Sequence, residues 1–232
     1  MRYFLFVSFI LFYFNSNGQN ATENMKQLAF ANPFHSSSQQ YLAMTNYKNR
    51  GLEELLKYDW VSAEISGNNN ELVVLDSVNY FFPEQKIIFF SDGQLMELYP
   101  DQVQNVRIGN EKYLPFIDKK NKKKGLQFFE VLAGTEFKVL KTTKVSEEAT
   151  SIHPMGIKSN ESKMVKRVKY FYVKENTNIA IPIPGNKHKF LKSFKKHKKK
   201  LVLFLEKRGL SPRVENDLIL IARYYNKLLS EK

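Results

Sequence analysis

Lysine dominates the chemistry this chain has to offer. From Lys187 to Lys200 the sequence reads KHKFLKSFKKHKKK. Such a run has three readings: a nucleic-acid contact, an anionic-membrane contact, or the solvated outer face of a helix. Read as a helix, Phe190, Leu191, Phe194, Leu201, Val202 and Leu205 fall on one side at about 100° per residue. Lys192, Lys195, Lys196 and Lys199 then fall nearly opposite, away from any packed face. Those four are the candidate contact with an anionic surface.

Other chemistry fails on order or spacing. Ser193 and Lys196 match the S-x-x-K pattern of penicillin-binding enzymes, and Ser91-Asp92-Gly93 and Lys141-Thr142-Thr143 echo the other two elements. In those enzymes S-x-x-K comes first and a glycine follows Lys-Thr, whereas here the order is reversed and the glycine is missing. Four histidines and no cysteine give little to bind a metal, and His188 and His197 fall on opposite faces of a helix. There is no G-x-S-x-G, no phosphate-cradling glycine loop and no dinucleotide fingerprint. Glu147 and Glu148 are neighbours in sequence, which is no sign of a paired acid and base. The sequence therefore assigns no catalytic residue, no metal ligand and no cofactor. Asn20-Ala21-Thr22 and Asn160-Glu161-Ser162 match the glycosylation acceptor pattern, which matters only in a glycosylating host.

Compartment decides which anions the lysines meet. The first residues, MRYFLFVSFILFYFNSNGQN, have the basic start, apolar run and small polar tail of a secretory signal peptide. As a helix the apolar run is only about 18 Å long, against a hydrocarbon core of about 30 Å. Cleavage after Gly18 is expected, leaving Gln19 first and no membrane span in the mature chain. An exported chain without cysteine rests on its apolar core, which suits a bacterial periplasm or cell surface. The net charge of +13 and pI near 9.6 favour encounter with polyanions without specifying one. Export disfavours nucleic acid, and so do Glu215 and Asp217, which offset Arg213 and Asn216 where a recognition helix would begin.

The elements that must carry these residues fall into four stretches. Residues 1–18 are the signal peptide, and 19–60 a polar arm in which GLEELLKYDW suggests a short helix. Residues 61–185 form an antiparallel β domain, and 186–232 a helical hairpin packed on it. After the turn signal at Gly67–Asn70 come nine strand-like runs: ELVVLDSVNYFF, KIIFFS, QLMELYP, VQNVRI, KYLPFI, LQFFEVLA, EFKVLKTTKV, VKRVKYFYVK and IAIPI. Asp92-Gly93 predicts a two-residue hairpin turn. Asn110-Glu111, Gly134-Thr135 and Glu175–Asn178 mark others. The aperiodic stretch from Val145 to Met164 is expected to be a long loop, and Lys119–Gly125 a charged hairpin loop that discourages edge pairing. Gly209 is placed to end the first helix in a left-handed conformation, and Ser211 to cap the second with Pro212 behind it. Val214, Leu218, Ile221, Ala222, Tyr225 and Leu229 make the second buried stripe. The fold class is thus α+β: an antiparallel β-meander, as a twisted sheet or partly closed barrel, followed by an amphipathic helix pair.

The run NYFFPEQKIIFFSDGQLMELYPDQVQNVRIGNEKYLPF, then GLQFFEVLAGTEFKVLKTTKV, then the lysine-rich helix and the final Tyr224-Tyr225-Asn226 resemble a group of exported proteins of Bacteroidota. The resemblance implies export and a shared fold and carries no active site with it. The expected function is an exported, non-enzymatic binding or structural protein of the bacterial envelope. Tyr80, Phe82, Tyr99, Tyr113, Phe128 and Tyr172 are candidates to line a site on its sheet. The alternatives are a hydrolase acting on envelope glycan or lipid, and a peripheral tether to an anionic membrane or polyanion through the lysine face. The expected partner is an anionic envelope surface or an envelope protein.

Overall fold

The computed structural model describes residues 55–91, 94–149 and 162–231. The signal segment with Gly18 and Gln19, the polar arm as far as residue 54, and the Asp92-Gly93 turn lie outside them. The described part of GLEELLKYDW does not continue as a helix past Leu55: Leu56 bridges Phe81 and Trp60 has a left-handed φ of +50°. The protein is α+β. Ten strands form one sheet: β1 (Val61–Gly67), β2 (Leu72–Phe81), β3 (Lys86–Ser91), β4 (Gln94–Leu98), β5 (Val103–Ile108), β6 (Glu111–Asp118), β7 (Leu126–Ala133), β8 (Lys138–Ala149), β9 (Ser162–Val173) and β10 (Ile179–Pro182). Three helices follow: α1 (Lys187–Leu191), α2 (Lys198–Lys207) and α3 (Glu215–Ser230).

All nine strand-like runs form strands, but their order is not one meander. The sheet runs β10-β9-β8-β7-β6-β5-β1-β2-β3-β4. Two meanders are joined where β1 pairs antiparallel with both β2 and β5. VSAEISG, the joining strand, is not among the nine runs because its inward positions are Ala63, Ile65 and Gly67, too small for a strong alternation signal. At the other end β10 pairs antiparallel with β9 and, over Ile179↔Ile117 and Ala180↔Asp118, parallel with β6. The sheet curls back there on a short seam. In β3 and β4, Ser91 lies opposite Gln94.

The expected loop from Val145 to Met164 is corrected at both ends, which are strand; its middle, residues 150–161, lies outside the described residues. β8 and β9 stay paired as far as Ala149↔Ser162, with Val145 opposite Lys166 and Glu147 opposite Met164. Val145 is buried and Met164 packs beside it in the cluster that holds Tyr80 and Phe82. Lys166 lies over the Phe82 ring at 4.8 Å. Only one position in a few is apolar here, so the period-2 signal is lost although the ladder continues. Lys119–Gly125 links the antiparallel strands β6 and β7 with a single 3-10 turn at Lys122–Lys124. The Asp118 side chain accepts from the Lys120 amide (2.8 Å) and from Asn121 Nδ2 (2.6 Å) at its start.

The helices cover one face of the second meander. Phe137, Val139 and Tyr172 from the sheet meet Phe190, Phe194, Leu201, Leu205, Leu218, Ile221 and Tyr225. Phe194 stands edge-on to Tyr225 at 4.7 Å and to Phe190 at 5.0 Å. The opposite face, inside the curl, holds Phe116, Phe129, Leu140, Phe171, Val173 and Ala180. Asn226 locks the arrangement. Its Oδ1 accepts from the amides of Thr135, Glu136 and Phe137, and its Nδ2 donates to the Phe137 carbonyl. A Cβ on Gly134, at φ +101°, would meet the Phe137 carbonyl oxygen at 1.9 Å. The turn at 134–137 therefore requires glycine and an amide side chain from α3.

Two details of the helix pair are corrected. The first helix is broken: α1 ends at Leu191, and α2 starts after His197, whose φ of +52° is left-handed. Ser211 does not cap the second helix. Its Oγ accepts from the Arg213 amide, its own amide donates to Asp217 Oδ2 at 2.9 Å, and α3 begins at Glu215. Val214 is consequently exposed, and Leu228 is buried while Leu229 is only partly so. Gly209 has the left-handed φ, +64°.

Candidate functional sites

Three places in the molecule bring charged side chains together. The first is a row across the sheet that begins apolar and turns ionic. Val106, Tyr113, Glu130, Lys141 and Tyr170 stand opposite one another on successive strands from β5 to β9. Register alone puts them on one face, because each is a direct cross-strand neighbour of the next.

Onto this row the chain lays residues 57 and 58. Asn79, fully buried, accepts from the amides of Lys57 (3.1 Å) and Tyr58 (3.0 Å) and donates to the Tyr58 carbonyl. Lys57 Nζ then reaches Glu111 and Glu130, each at 2.6 Å, and the Tyr113 hydroxyl at 2.9 Å. Those contacts use all three ammonium donors. The Tyr58 hydroxyl donates to Glu111. From the other side, Lys141 Nζ lies 3.0 Å from Glu130 Oε1 and 3.3 Å from Glu215 Oε1. Tyr170 donates to Glu215 Oε2 at 3.1 Å. Glu215 arrives there because it opens α3, where a carboxylate suits the positive end of the helix dipole.

Glu130 is thus a buried carboxylate shared by two half-buried lysines. Burial lowers the affinity of Lys141 for its proton, but Glu130 and Glu215 more than reverse that, so its pKa is raised. Burial first, then Glu111 and Glu130, push the Tyr113 hydroxyl far above its usual range; burial and Glu130 do the same to Tyr80. Every charge in the row has an opposite neighbour, which makes it a brace that ties residues 57–58, the sheet and α3 together.

The second place is a cleft of about 410 Å³ between the β2–β3 turn, the end of β4 and the start of β7. Glu84, Gln85, Lys86, Glu97, Lys124 and Gln127 supply its polar groups, above Leu98, Pro100 and Leu126. Lys86 Nζ sits 2.8 Å from Glu84 Oε2 and 2.9 Å from Glu97 Oε2. Burial raises the Glu97 carboxyl above its ordinary range even though Lys86 pulls it down. Gln85 has a left-handed φ of +58°, and its carbonyl accepts from the Phe128 amide at 3.3 Å, which pins the turn to β7.

The third place is the lysine segment. Lys192, Lys195, Lys196 and Lys199 are all exposed, as the helix reading required, but they do not lie on one helix face. Lys192 is the C-cap of α1, Lys195 and Lys196 are in the link, and Lys199 is in the first turn of α2. His197 interrupts the helix, so the shared property of the four lysines is exposure, not periodicity. The apolar side nevertheless packs: Phe190, Leu191, Phe194, Leu201 and Leu205 are buried.

Of the six aromatics proposed to line a site, Tyr80, Phe82, Tyr113, Phe128 and Tyr172 are core, and Tyr99 is partly exposed. Phe128 alone touches the cleft. Sequence reading missed both the row and the cleft. A signal for the row was present: Glu130 stands inside LQFFEVLA and Lys141 inside FKVLKTT, and a charge at a buried strand position demands a partner. Which partner is a matter of strand register, Glu130 falling opposite Lys141, and of where residues 57–58 are laid. Among the described residues no group of three or more His, Asp or Glu could hold a metal, and no helix is long and apolar enough to cross a membrane. No protein-family model, curated protein or solved structure matches the chain.

Proposed function

We propose that the chain is an exported, non-enzymatic binding or structural protein of the bacterial envelope that holds to anionic lipid surfaces through residues 187–200. The envelope part of this reading rests on the N-terminal segment and on the likeness to exported proteins of Bacteroidota. The contact rests on one observation. Eight of those fourteen residues are lysine and none is acidic, and among the described residues only Lys200 comes within 4 Å of a carboxylate, Glu231 at 3.9 Å. Lys57, Lys86 and Lys141 each meet two carboxylates, whereas the lysines of this segment, Lys200 apart, meet none among the described residues.

Two features strengthen the contact. Buried Phe190, Leu191, Phe194 and Leu201 anchor the segment, so its charges are held on a fixed surface. Lys198, Lys199 and Lys200 crowd the first turn of α2, which has no acidic residue and no side-chain cap. Cations at the positive end of a helix repel it, and an anion alongside relieves that repulsion. A hydrolase would find carboxylates in the cleft, but Glu84 and Glu97 are both bonded to Lys86.

The test replaces Lys192, Lys195, Lys196 and Lys199 with Gln together and measures sedimentation with phosphatidylglycerol vesicles at low and physiological salt. Each lysine near an anionic leaflet is worth about 1 kcal/mol, so the four should change affinity by roughly three orders of magnitude, with the effect shrinking in salt. All four are exposed, so the melting temperature should not move. Equal, negligible binding by both proteins at low salt would make these lysines a solubilising surface. Binding to a soluble polyanion but not to vesicles would move the partner from lipid to polymer.

A further inference from the structure

We propose that the cleft between the β2–β3 turn, β4 and β7 binds a small zwitterion, of the size of a free amino acid or dipeptide, by its ammonium and carboxylate groups. The volume of about 410 Å³ falls within the range of small-ligand sites. Charge selects the ligand class. Glu84 and Glu97 share one ammonium, so this wall carries one more negative than positive charge. Each carboxylate uses Oε2 on Lys86 and retains acceptor capacity on its other oxygen. A ligand ammonium supplies both the missing charge and the missing donors.

A charge of the opposite sign lines the same cleft. Lys124, from the β6–β7 loop, also lines the cleft, is exposed, and pairs with no carboxylate among the described residues. It is placed to receive a ligand carboxylate. Pro100 and Leu126, both partly exposed, offer an apolar patch for a side chain. A simple anion would be repelled by Glu84 and Glu97. A sugar would want an exposed aromatic face, and the only aromatic in the lining, Phe128, is 1% exposed.

The walls are held in advance of any ligand. The Gln85 carbonyl is bonded to the Phe128 amide, and Gln127, itself buried, reaches the Glu84 carbonyl at 3.5 Å. Gln85 keeps a left-handed backbone without being glycine, a strain that persists only where the surroundings enforce it. A rigid cleft loses less entropy on binding than a loose one.

Isothermal titration calorimetry of the full chain with glycyl-leucine tests the proposal. N-acetyl-glycyl-leucine, glycyl-leucinamide and maltose serve as the comparison ligands. Glycyl-leucine should bind, each blocked form should bind at least tenfold more weakly, and maltose should not bind. Lys124→Gln is exposed, so it should keep the fold and cost at least tenfold in affinity for glycyl-leucine while leaving glycyl-leucinamide unchanged. Glu97→Gln should do the reverse, weakening ligands that carry the ammonium, with the melt followed because Lys86 loses a partner. Absence of glycyl-leucine binding at millimolar concentration would overturn the proposal. So would equal binding of the blocked forms, or heat released with maltose.

Discussion

Lys57 and Lys141 do work opposite to that of the lysines at 187–200, although the residue type is the same. The first two are half-buried, and each is bonded to two carboxylates on different elements, so their charge is consumed inside the molecule. The others, Lys187 apart, are exposed on a short broken helical segment, and among the described residues one weak pair, Lys200 with Glu231, is all that engages them. A half-buried charge must be partnered or the fold loses energy, whereas an exposed charge is solvated and stays available. Partnering therefore separates lysines that brace the protein from lysines that can bind something else.

Glu130→Ala should have the largest effect on this contrast. It removes the carboxylate that Lys57 and Lys141 share and leaves two like charges close together at a site where the carboxylate was 8% exposed. Breaking a buried pair typically costs about 3 kcal/mol or more. Urea denaturation reads it directly, and a loss below about 1 kcal/mol would mean that water screens the row as it screens the surface lysines.

A smaller effect comes from comparing two single substitutions. Lys141→Gln removes the link between Glu130 and Glu215, and should cost about 1–2 kcal/mol. Lys199→Gln, exposed and unpaired among the described residues, should stay within about 0.5 kcal/mol of the parent. Equal midpoints for the two proteins in chemical denaturation would erase the distinction.

Alkaline pH should give the smallest change. Tyr113, in the row, and Tyr80 beside it have raised pKa values in the folded protein, so stability is full below the unfolded value near 10 and falls as pH rises through it. By pH 10 the loss is about 0.4 kcal/mol for each of the two, and it grows above that. Phenolate absorbance at 295 nm should show these two titrating only as the protein unfolds. A smooth titration of all tyrosines in the folded protein would place the row in solvent.

Much of the architecture can be read along the chain, and the exceptions share a cause. ELVVLDSVNYFF and LQFFEVLA announce strands because their own residues alternate or run apolar. Val145–Ala149 and Ser162–Met164 hide their ladder because few of their side chains are apolar, so burial leaves little trace in the pattern. The break at His197 is hidden for the opposite reason: the apolar spacing fits a continuous helix, and the same residues remain buried after the left-handed turn. Ser211 has the right type for a cap, yet Asp217 takes its amide and the helix starts later. Asn226 stands in Tyr-Tyr-Asn, and its purpose is visible only with the 134–137 turn beside it.

The sequence by itself determined the strand runs, the apolar side of the helix pair, the left-handed Gly209 and the exposure of the four lysines. Each depends on neighbours within a few residues, through side-chain period, backbone freedom at glycine or the cost of burying an ammonium. The tertiary structure alone decided that β1 would join two meanders, that β10 would return to β6, that Glu130 would sit between Lys57 and Lys141, and that Glu84, Glu97 and Lys124 would face one cleft. Most of those pairings join residues tens of positions apart, as Lys57 and Glu130 are. Their energy comes from register and from the desolvation of charges that only the closed fold brings together, and no local pattern encodes which distant strand supplies the partner.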